Sequence, residues 1–420
     1  MVSEGVRTLY IRRFTVKNYM IHRDTFLDLH PITVLVGDNN GGKSALFDAL
    51  LNFSMVSRGK LSQAFGPGPY SFTIRKHRGS AAAARISFEA LLSRSNEESE
   101  QLSYLVSYAQ TPGSMDHPRY TIYDEKIERV DTSNVLFDRS DVDASPMTSV
   151  LSHLTEERSI FAAIRRAQVA GDYEEVDPLV TYCAREVSRI GKFRLDPLVL
   201  AKPSPLPDPS LDPPEYSRTP RLDYRGEGLA GVLYHLAETD SEILAQITDK
   251  LRTVLDGFDS FDYNVVEPDR VTFSAVFSDP RGTVSAANLS HGTLSLIGLT
   301  VLLLSPSRPP VICIEEPENG LTPRSVRSLY ETMHSLAFAA NTDERSQVLV
   351  SSHSPFVITQ AWNGEDRDFI YQMKPQEGSA LVRSFAQVIE DQGVQLRKEK
   401  GERRGLGLET ADQVMAGYYS

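Results

Sequence analysis

Apolar positions follow two registers along this chain. Ile32 to Val36 (ITVLV) is an unbroken apolar, β-rich run, the pattern of a parallel strand buried on both faces. It runs directly into GDNNGGKS, and KSALFDALLNF beyond sets Leu46, Phe47, Leu50 and Leu51 at helical spacing. The stretch from Leu9 to Val36 reads as strands, and Arg85 to Leu92 (RISFEALL) as one more. The character then changes. Ser93 to Glu100 is polar and loop-like, whereas Leu151, Leu154, Phe161 and Ile164 fit a helix, as do Val176, Leu179, Val180, Cys183 and Val187. Leu198 to Arg221 is crowded with proline and predicts an irregular or polyproline connector. None of these helices sustains a heptad, which argues against long coiled-coil arms.

Regular patterning resumes at Gly228. Leu229, Val232, Leu233 and Leu236 share a helix face, and Thr239 with Glu242 has the spacing of a capping box for the next helix, which carries Ile243, Ile247, Leu251 and Leu255. Strands are predicted at Tyr263–Val266 and Val271–Phe277. They are followed by LSHGT, an apolar helix, the strand VICIEE, a helix and the strand VLVSSH. The expectation is an α/β core in two lobes, residues 1–92 and 228–388. A mainly helical, Pro-rich insertion over 93–227 separates them, and a polar tail covers 389–420.

Composition narrows the picture without naming a chemistry. The chain has 420 residues, 40% of them hydrophobic and 24% charged, with a net charge of −12. That is an ordinary soluble balance, and it disfavours coating nucleic acid by bulk charge while leaving room for a local basic patch. Cys183 and Cys313 are too few for a disulfide framework, and MVSEGVRTLYIRRF lacks a signal-peptide pattern, so the expected compartment is the cytoplasm. The longest apolar stretch, Leu294 to Leu304, is too short to span a bilayer and predicts a core helix, so no membrane contact is expected.

Chemistry concentrates in three places. Gly37-Asp38-Asn39-Asn40-Gly41-Gly42-Lys43-Ser44 satisfies G-x-x-x-x-G-K-[ST], with a buried strand before it and a helix after it. Glycines let the backbone N–H groups of Gly37 to Ala45 curl around phosphates, and the helix N-terminus adds partial positive charge. Lys43 is placed to reach the β- and γ-phosphates and Ser44 to ligate Mg2+, so ATP with Mg2+ is the expected ligand. Second, Pro310 to Glu316 is an apolar strand ending in two carboxylates. In a P-loop protein Glu315 is expected to hold Mg2+ and Glu316 to act as general base on the attacking water. Third, Ser290 and Gly292 open a helix and can present a hydroxyl and N–H groups to an anion, while His353 ends the strand after the acidic one. Of the basic runs, Arg75-Lys76-His77-Arg78 is the candidate DNA contact. Arg397 to Arg404, interrupted by acids, reads as a solvated surface.

LSHGT, ICIEEPENGLTP and SSHSPF, in that order behind GDNNGGKS, resemble the ABC-class P-loop ATPase heads, with greatest likeness to the RecF/OLD-like branch of AAA-family ATPases. The resemblance covers about residues 6–92 and 228–385. It implies two heads sandwiching two ATPs, with Ser290 and Gly292 reaching the γ-phosphate on the opposite subunit. It further implies that Glu316 orients water, that His353 senses the γ-phosphate, and that Asn319 to Pro323 crosses the dimer interface. Two departures stand out: Thr293 replaces the glutamine usual in transporter heads, and no glutamine loop is evident beyond a weak candidate, Gln63. Relatives by resemblance serve DNA repair, overcoming-lysogenisation nucleases and anti-phage defence, including the ATPase of Septu-type systems. Only about 35 residues follow the last strand, too few for a nuclease domain. The expectation is therefore a homodimeric ATP-driven switch acting on DNA or on a separate effector protein. A nucleotide-gated scaffold with little turnover, a transporter subunit and a small-molecule kinase are the alternatives.

Overall fold

The protein is described from a computed structural model over residues 8–65, 71–81, 84–95, 100–111, 119–145, 147–171, 176–206, 220–267, 269–364, 366–394, 397–398 and 404–416. Its strands run in chain order β1 (Tyr10–Tyr19), β2 (His22–Asp28), β3 (Ile32–Val36), β4 (Ile86–Ser93), β5 (Gln101–Thr111), β6 (Arg119–Arg129), β7 (Asn134–Asp138) and β8 (Gly191–Phe193). Then come β9 (Ser204–Pro205), β10 (Phe258–Glu267), β11 (Arg270–Phe277), β12 (Thr283–Ser285), β13 (Val311–Glu315), β14 (Gln347–Ser351), β15 (Ile370–Gln376) and β16 (Ser379–Ser384). The helices before β8 are α1 (Lys43–Val56), α2 (Leu61–Ala64), α3 (Phe72–Arg75), α4 (Thr148–Leu151), α5 (Ile160–Ala170) and α6 (Pro178–Val187). After it come α7 (Pro197–Leu200), α8 (Leu229–Thr239), α9 (Ser241–Arg252), α10 (His291–Leu304), α11 (Pro323–Ala337), α12 (Pro355–Asn363), α13 (Phe385–Asp391) and α14 (Leu408–Ala416).

The central sheet has the order β16-β15-β3-β14-β13-β8. Its members from β15 to β8 are parallel, and β16 is antiparallel at one edge. Both faces of the middle strands are covered, so β3, β13 and β14 are buried along their whole length and mainly apolar, and the pleat sends alternate residues to two cores. Val311, Cys313, Leu35 and Leu349 join one core, while Ile32, Val34, Ile312, Ile314, Val348 and Val350 join the other. The first core is closed by α1 and by an antiparallel sheet of order β2-β1-β4-β5-β6-β7, the second by α8 to α12 and by β10 and β11. At the bulge in β1, buried Gln347 fastens the two sheets together. Its Oε1 accepts from Ile11 N at 3.0 Å and its Nε2 donates to Ile11 O at 2.9 Å and His30 O at 3.1 Å.

Residues 93–227 depart from the expected helical insertion. Their first half is strand: β5, β6 and β7 extend the antiparallel sheet begun by β1, β2 and β4. The period of two was present in Leu102, Tyr104, Val106 and Tyr108, all of which face the core. The helix expected over Leu151 to Ile164 is broken: α4 ends at Leu151, Leu154 lies between the two, and α5 starts at Ile160. The next forms as α6, with Val176 before its start. Both α5 and α6 pack into the same core, with the Tyr104 and Phe161 rings stacked 3.9 Å apart. Strand β8 then joins the central sheet beside β13. The segment therefore completes the first lobe and supplies an edge of the central sheet. Most of the Pro-rich stretch, residues 207–219, lies outside the described residues. At the start of α9 the cap is Asp240, whose carboxylate accepts from Ile243 N, whereas the Thr239 hydroxyl donates back to His235 O. The expected capping box is thus replaced by a simple Asp240 cap, because the third helical residue is Ile243 and cannot bond back to the cap. The core helix predicted at Leu294–Leu304 forms as α10. Among the described residues no helix is long and apolar enough to cross a membrane.

Candidate functional site

The phosphate loop joins β3 to α1 and sits at the C-terminal end of the parallel strands. Gly37, Asn40 and Gly42 have φ of 125°, 68° and 104°, the left-handed turns that curl the backbone. A Cβ on Gly37 would lie 2.2 Å from the Met373 carbonyl oxygen, and one on Gly41 2.4 Å from it. Strand β15 therefore closes against the loop so tightly that only glycine fits. Gly42 caps α1 and no side chain caps the helix, which leaves its first N–H groups for an anion. Asn39, Asn40 and Ser44 are exposed at the mouth, and Ala45 is buried beneath it.

Lys43 is buried, and its Nζ donates to Gly37 O at 2.7 Å and Asp38 O at 2.9 Å. Burial lowers the pKa of this ammonium, against the pull of Asp38, Glu316 and Glu318. Beneath the loop, His22 Nε2 lies 3.1 Å from Gly42 O and Nδ1 3.2 Å from Thr25 Oγ1. A carbonyl can only accept, so Nε2 carries the proton and Nδ1 accepts from the hydroxyl. Burial pushes His22 down to about 4, so a neutral ring supports the loop.

The acidic pair is split by the end of β13. Glu315 is buried; its Oε2 accepts from Tyr224 Oη at 3.1 Å, and Lys192 Nζ lies 3.3 Å from its Oε1. Lys192, on β8, also meets Asp48 of α1 at 2.7 Å. Burial opposes the charge on Lys192, yet Asp48 and Glu315 together outweigh it and raise its pKa. Glu316 lies just past the strand with φ of 49°, a conformation that costs a non-glycine residue about 1 kcal/mol or more. Its Oε2 accepts from Arg194 at 2.9 Å and Asn319 at 2.9 Å, and its Oε1 is 3.8 Å from His353 Nε2. Burial and the Lys43 charge lower the pKa of His353.

The structure thus brings Lys43, Glu315, Glu316 and His353 to one end of β3, β13 and β14. It adds residues to which the sequence analysis gave no role. Glu318 Oε1 accepts from Ser352 Oγ at 2.6 Å and His353 N at 3.1 Å, joining the loops after β13 and β14. Its Oε2 is buried without a hydrogen-bond partner among the described residues. Lys192 comes from β8 and Arg194 from the residue just after it, within a segment expected to lie outside the core. Gln63 spends its side chain on Lys60 N at 3.2 Å, and Arg194 is the polar group that reaches Glu316 from the strand beside β13.

Ser290 caps α10, accepting from Thr293 N at 3.1 Å. A Cβ on Gly292 would lie 2.4 Å from Gly320 O, so the first turn of α10 packs on the Asn319–Pro323 loop of the same chain. Among the described residues no hydrogen bond or ion pair joins Ser290 or Gly292 to the phosphate loop. The basic run Arg75 to Arg78 is not the patch expected. Arg75 and His77 are buried, His77 Nε2 lies 2.7 Å from Gly378 O, and Lys76 Nζ donates to Ala81 O at 2.7 Å. Arg78 alone of the four is exposed, because α3 tucks the segment against β1. Within Arg397 to Arg404, residues 399–403 lie outside the described residues.

Residues 210–359 match the family described as “AAA domain, putative AbiEii toxin, Type IV TA system”. No curated protein matches the chain in sequence. Among solved structures, the chain is similar to an SMC head bound to the C-winged helix domain of ScpA, at 12% identity, 90% coverage of this chain, 99% of that chain and a TM-score of 0.52. The fold is that of an ABC-type P-loop ATPase head. The SMC head domain from Thermotoga maritima gives 12% identity, 89% and 98% coverage and a TM-score of 0.45. A Smc head with an extended coiled coil bound to the C-terminal domain of ScpA, derived from Pyrococcus furiosus, gives 10%, 91% and 98%, with a TM-score of 0.46.

Proposed function

We propose that this chain binds and hydrolyses ATP with Mg2+ and works as a homodimeric switch. The observation that carries the reading is the single electrostatic cluster of Lys43, Glu316, Glu318 and His353 at the mouth of a glycine-tight phosphate loop. The N–H groups of Gly41 to Ala45 and the Lys43 ammonium bind phosphates. The Ser44 hydroxyl and Glu315 carboxylate are hard oxygen donors suited to Mg2+, which neutralises phosphate charge when bound. Among the described residues no group of three or more His, Cys, Asp or Glu forms a metal cage, in keeping with a cation held largely by phosphates and water. Glu316 takes the proton of the attacking water, and His353, kept neutral at physiological pH, donates to the γ-phosphate as its sensor.

Among the described residues no hydrogen bond or ion pair joins Ser290 or Gly292 to the chain's own phosphate loop, and the packing of Gly292 on Gly320 couples the start of α10 to the loop that leaves Glu316. This favours a composite site in which they complete the partner's nucleotide pocket. The switch then acts on a separate effector protein, a nuclease being the favoured kind, or on DNA, in repair or anti-phage defence, in the cytoplasm. ATP turnover measured against protein concentration tests this. Specific activity rising steeply with concentration supports composite sites, and a flat profile overturns them. Glu316→Gln is expected to lower turnover about 100-fold or more while leaving ATP binding intact. The Arg194–Glu316 pair favours a second reading, a nucleotide-gated scaffold with slow turnover, because it engages the base. Arg194→Ala then raises basal turnover.

A further inference from the structure

The loop that leaves β13 folds as one short hydrogen-bonded unit. Asn319 N donates to Glu316 O at 3.2 Å, Leu321 N to Glu318 O at 3.0 Å, and Asn319 Nδ2 to Glu316 Oε2 at 2.9 Å. Gly320 has φ of 76°, and its carbonyl presses on the first turn of α10, where a Cβ on Gly292 would come within 2.4 Å of the oxygen. One turn therefore carries Glu316 at one end and meets α10 at the other. Glu318 stands between them, and its side chain reaches out of the loop. Its Oε1 accepts from Ser352 Oγ at 2.6 Å and from His353 N at 3.1 Å. Its Oε2 is buried without a hydrogen-bond partner among the described residues, so the tie runs through Oε1.

The tie takes hold where the sheet lets go. Strand β14 pairs with β3 and β13 up to Ser351, and Ser352 N still donates to Leu35 O at 2.9 Å. His353 N is the next donor along the chain, and Glu318 receives it. Ser352 is fully buried and passes the tie on. Its Oγ donates to Glu318 and accepts from Ser354 N at 3.0 Å, and Ser354 Oγ accepts from Phe356 N at the start of α12. Holding the backbone at His353 sets where its ring lies, and ring Nε2 is 3.8 Å from Glu316 Oε1. Charge-assisted bonds to backbone N–H groups are short and strong, so a shift of the loop passes to His353.

We infer that Glu318 is a positioning residue that yokes His353 to the loop carrying Glu316, so that base and γ-phosphate sensor move together when the start of α10 is displaced. This rests on the ATP-hydrolysis reading of Glu316 and His353. The displacement in question is the docking of a second copy of this chain at Ser290 and Gly292. Reach, more than charge, makes the yoke. Glutamine offers the same carbonyl-type oxygen at the same distance without the charge, whereas aspartate keeps the charge and falls one methylene short.

ATP turnover of the full chain tests the yoke, with nucleotide affinity read by calorimetry using AMPPNP and Mg2+. Glu318→Ala is expected to lower kcat about 10-fold or more and to leave the affinity within about twofold, because the phosphate loop is untouched. Glu318→Gln restores kcat to within about threefold of the original chain, and Glu318→Asp does not. In a His353→Ala background, Glu318→Ala costs less than about twofold more, since the residue it positions is gone. Turnover unchanged by Glu318→Ala overturns the proposal. Rescue by aspartate in place of glutamine also overturns it, since that assigns a charge effect. Losses that multiply in the double variant do the same, since they set Glu318 apart from His353. If Glu318→Ala does not fold, the glutamine and aspartate chains decide between these outcomes. An unmutated chain with no turnover overturns the ATP-hydrolysis reading itself, whereas turnover insensitive to Glu318 overturns the yoke and leaves that reading standing.

Discussion

The phosphate loop and the cavity of about 460 Å³ along β8 both concentrate positive charge, and they are built in opposite ways. The loop spends eight consecutive residues, backbone N–H groups and one ammonium, and its shape comes from glycines pressed by Met373. The cavity gathers guanidiniums from positions 58, 165, 189, 221 and 308, each carried by a different part of the chain. A local site concentrates its binding in geometry, so one atom out of place destroys it. The distributed set spreads its charge over several side chains, among them Arg58 and Arg308 bonded to carbonyls and Arg189 to a carboxylate, so a single loss removes only part of the field.

The largest effect that tests this contrast is steric. Gly37→Val places side-chain atoms inside contact distance of Met373 O at φ of 125°. We expect about 3–5 kcal/mol of lost stability, from backbone strain and overpacking together, with loss of nucleotide binding. Urea unfolding measures it, and a chain of unchanged midpoint would show that β15 does not clamp the loop. Lys43→Ala comes next. ATP affinity is expected to fall about 100-fold, the scale of charge-assisted bonds worth about 3 kcal/mol, with little change in melting temperature. Retained tight binding would remove Lys43 from the phosphate site.

A third prediction separates the two sites by pH. His22 titrates at about 4 in the fold, below the ordinary 6.5. Between those values the unfolded chain binds the extra proton. The stabilisation is therefore complete above pH 6.5 and is lost as pH falls toward 4, to the extent of about 2–3 kcal/mol. His22→Gln flattens that part of the stability curve, and identical slopes for the two chains would refute the assignment. Guanidiniums do not titrate in this range, so the Arg side chains keep their charge over the same interval. The smallest effect belongs to the distributed site. Arg221→Ala alone is expected to change stability in urea unfolding by about 0.5 kcal/mol or less, as one exposed charge among several. A loss on the scale of Gly37→Val would mean that the cavity, too, depends on a single residue.

Legibility from sequence follows the same division. The phosphate loop, the strand ending in Glu315 and Glu316, and α10 with its Ser290 cap were each written in one continuous stretch, and each formed where expected. Strands β5 and β6 were equally local in pattern, with Leu102, Tyr104, Val106 and Tyr108 alternating, but they fell within a stretch expected to be helical. Arg75 misled because a run of basic letters does not say which side chains face out. Lys192 and Arg194 carried no motif, and Glu318 was given no role although it stands inside ICIEEPENGLTP. They matter because β8 lies beside β13 and because the loop after β13 meets the one after β14.

Sequence alone therefore determined the phosphate loop and its neighbours, since hydrogen bonding to backbone N–H groups and helix capping act within a few residues. Tertiary structure alone decided that residues 93–227 complete the first lobe, that Gln347 joins two sheets at the β1 bulge, and that Lys192 stands between Glu315 and a cavity of arginines. Those outcomes depend on which strand pairs with which. Burial of apolar faces selects that pairing among distant segments, and no local spacing encodes it.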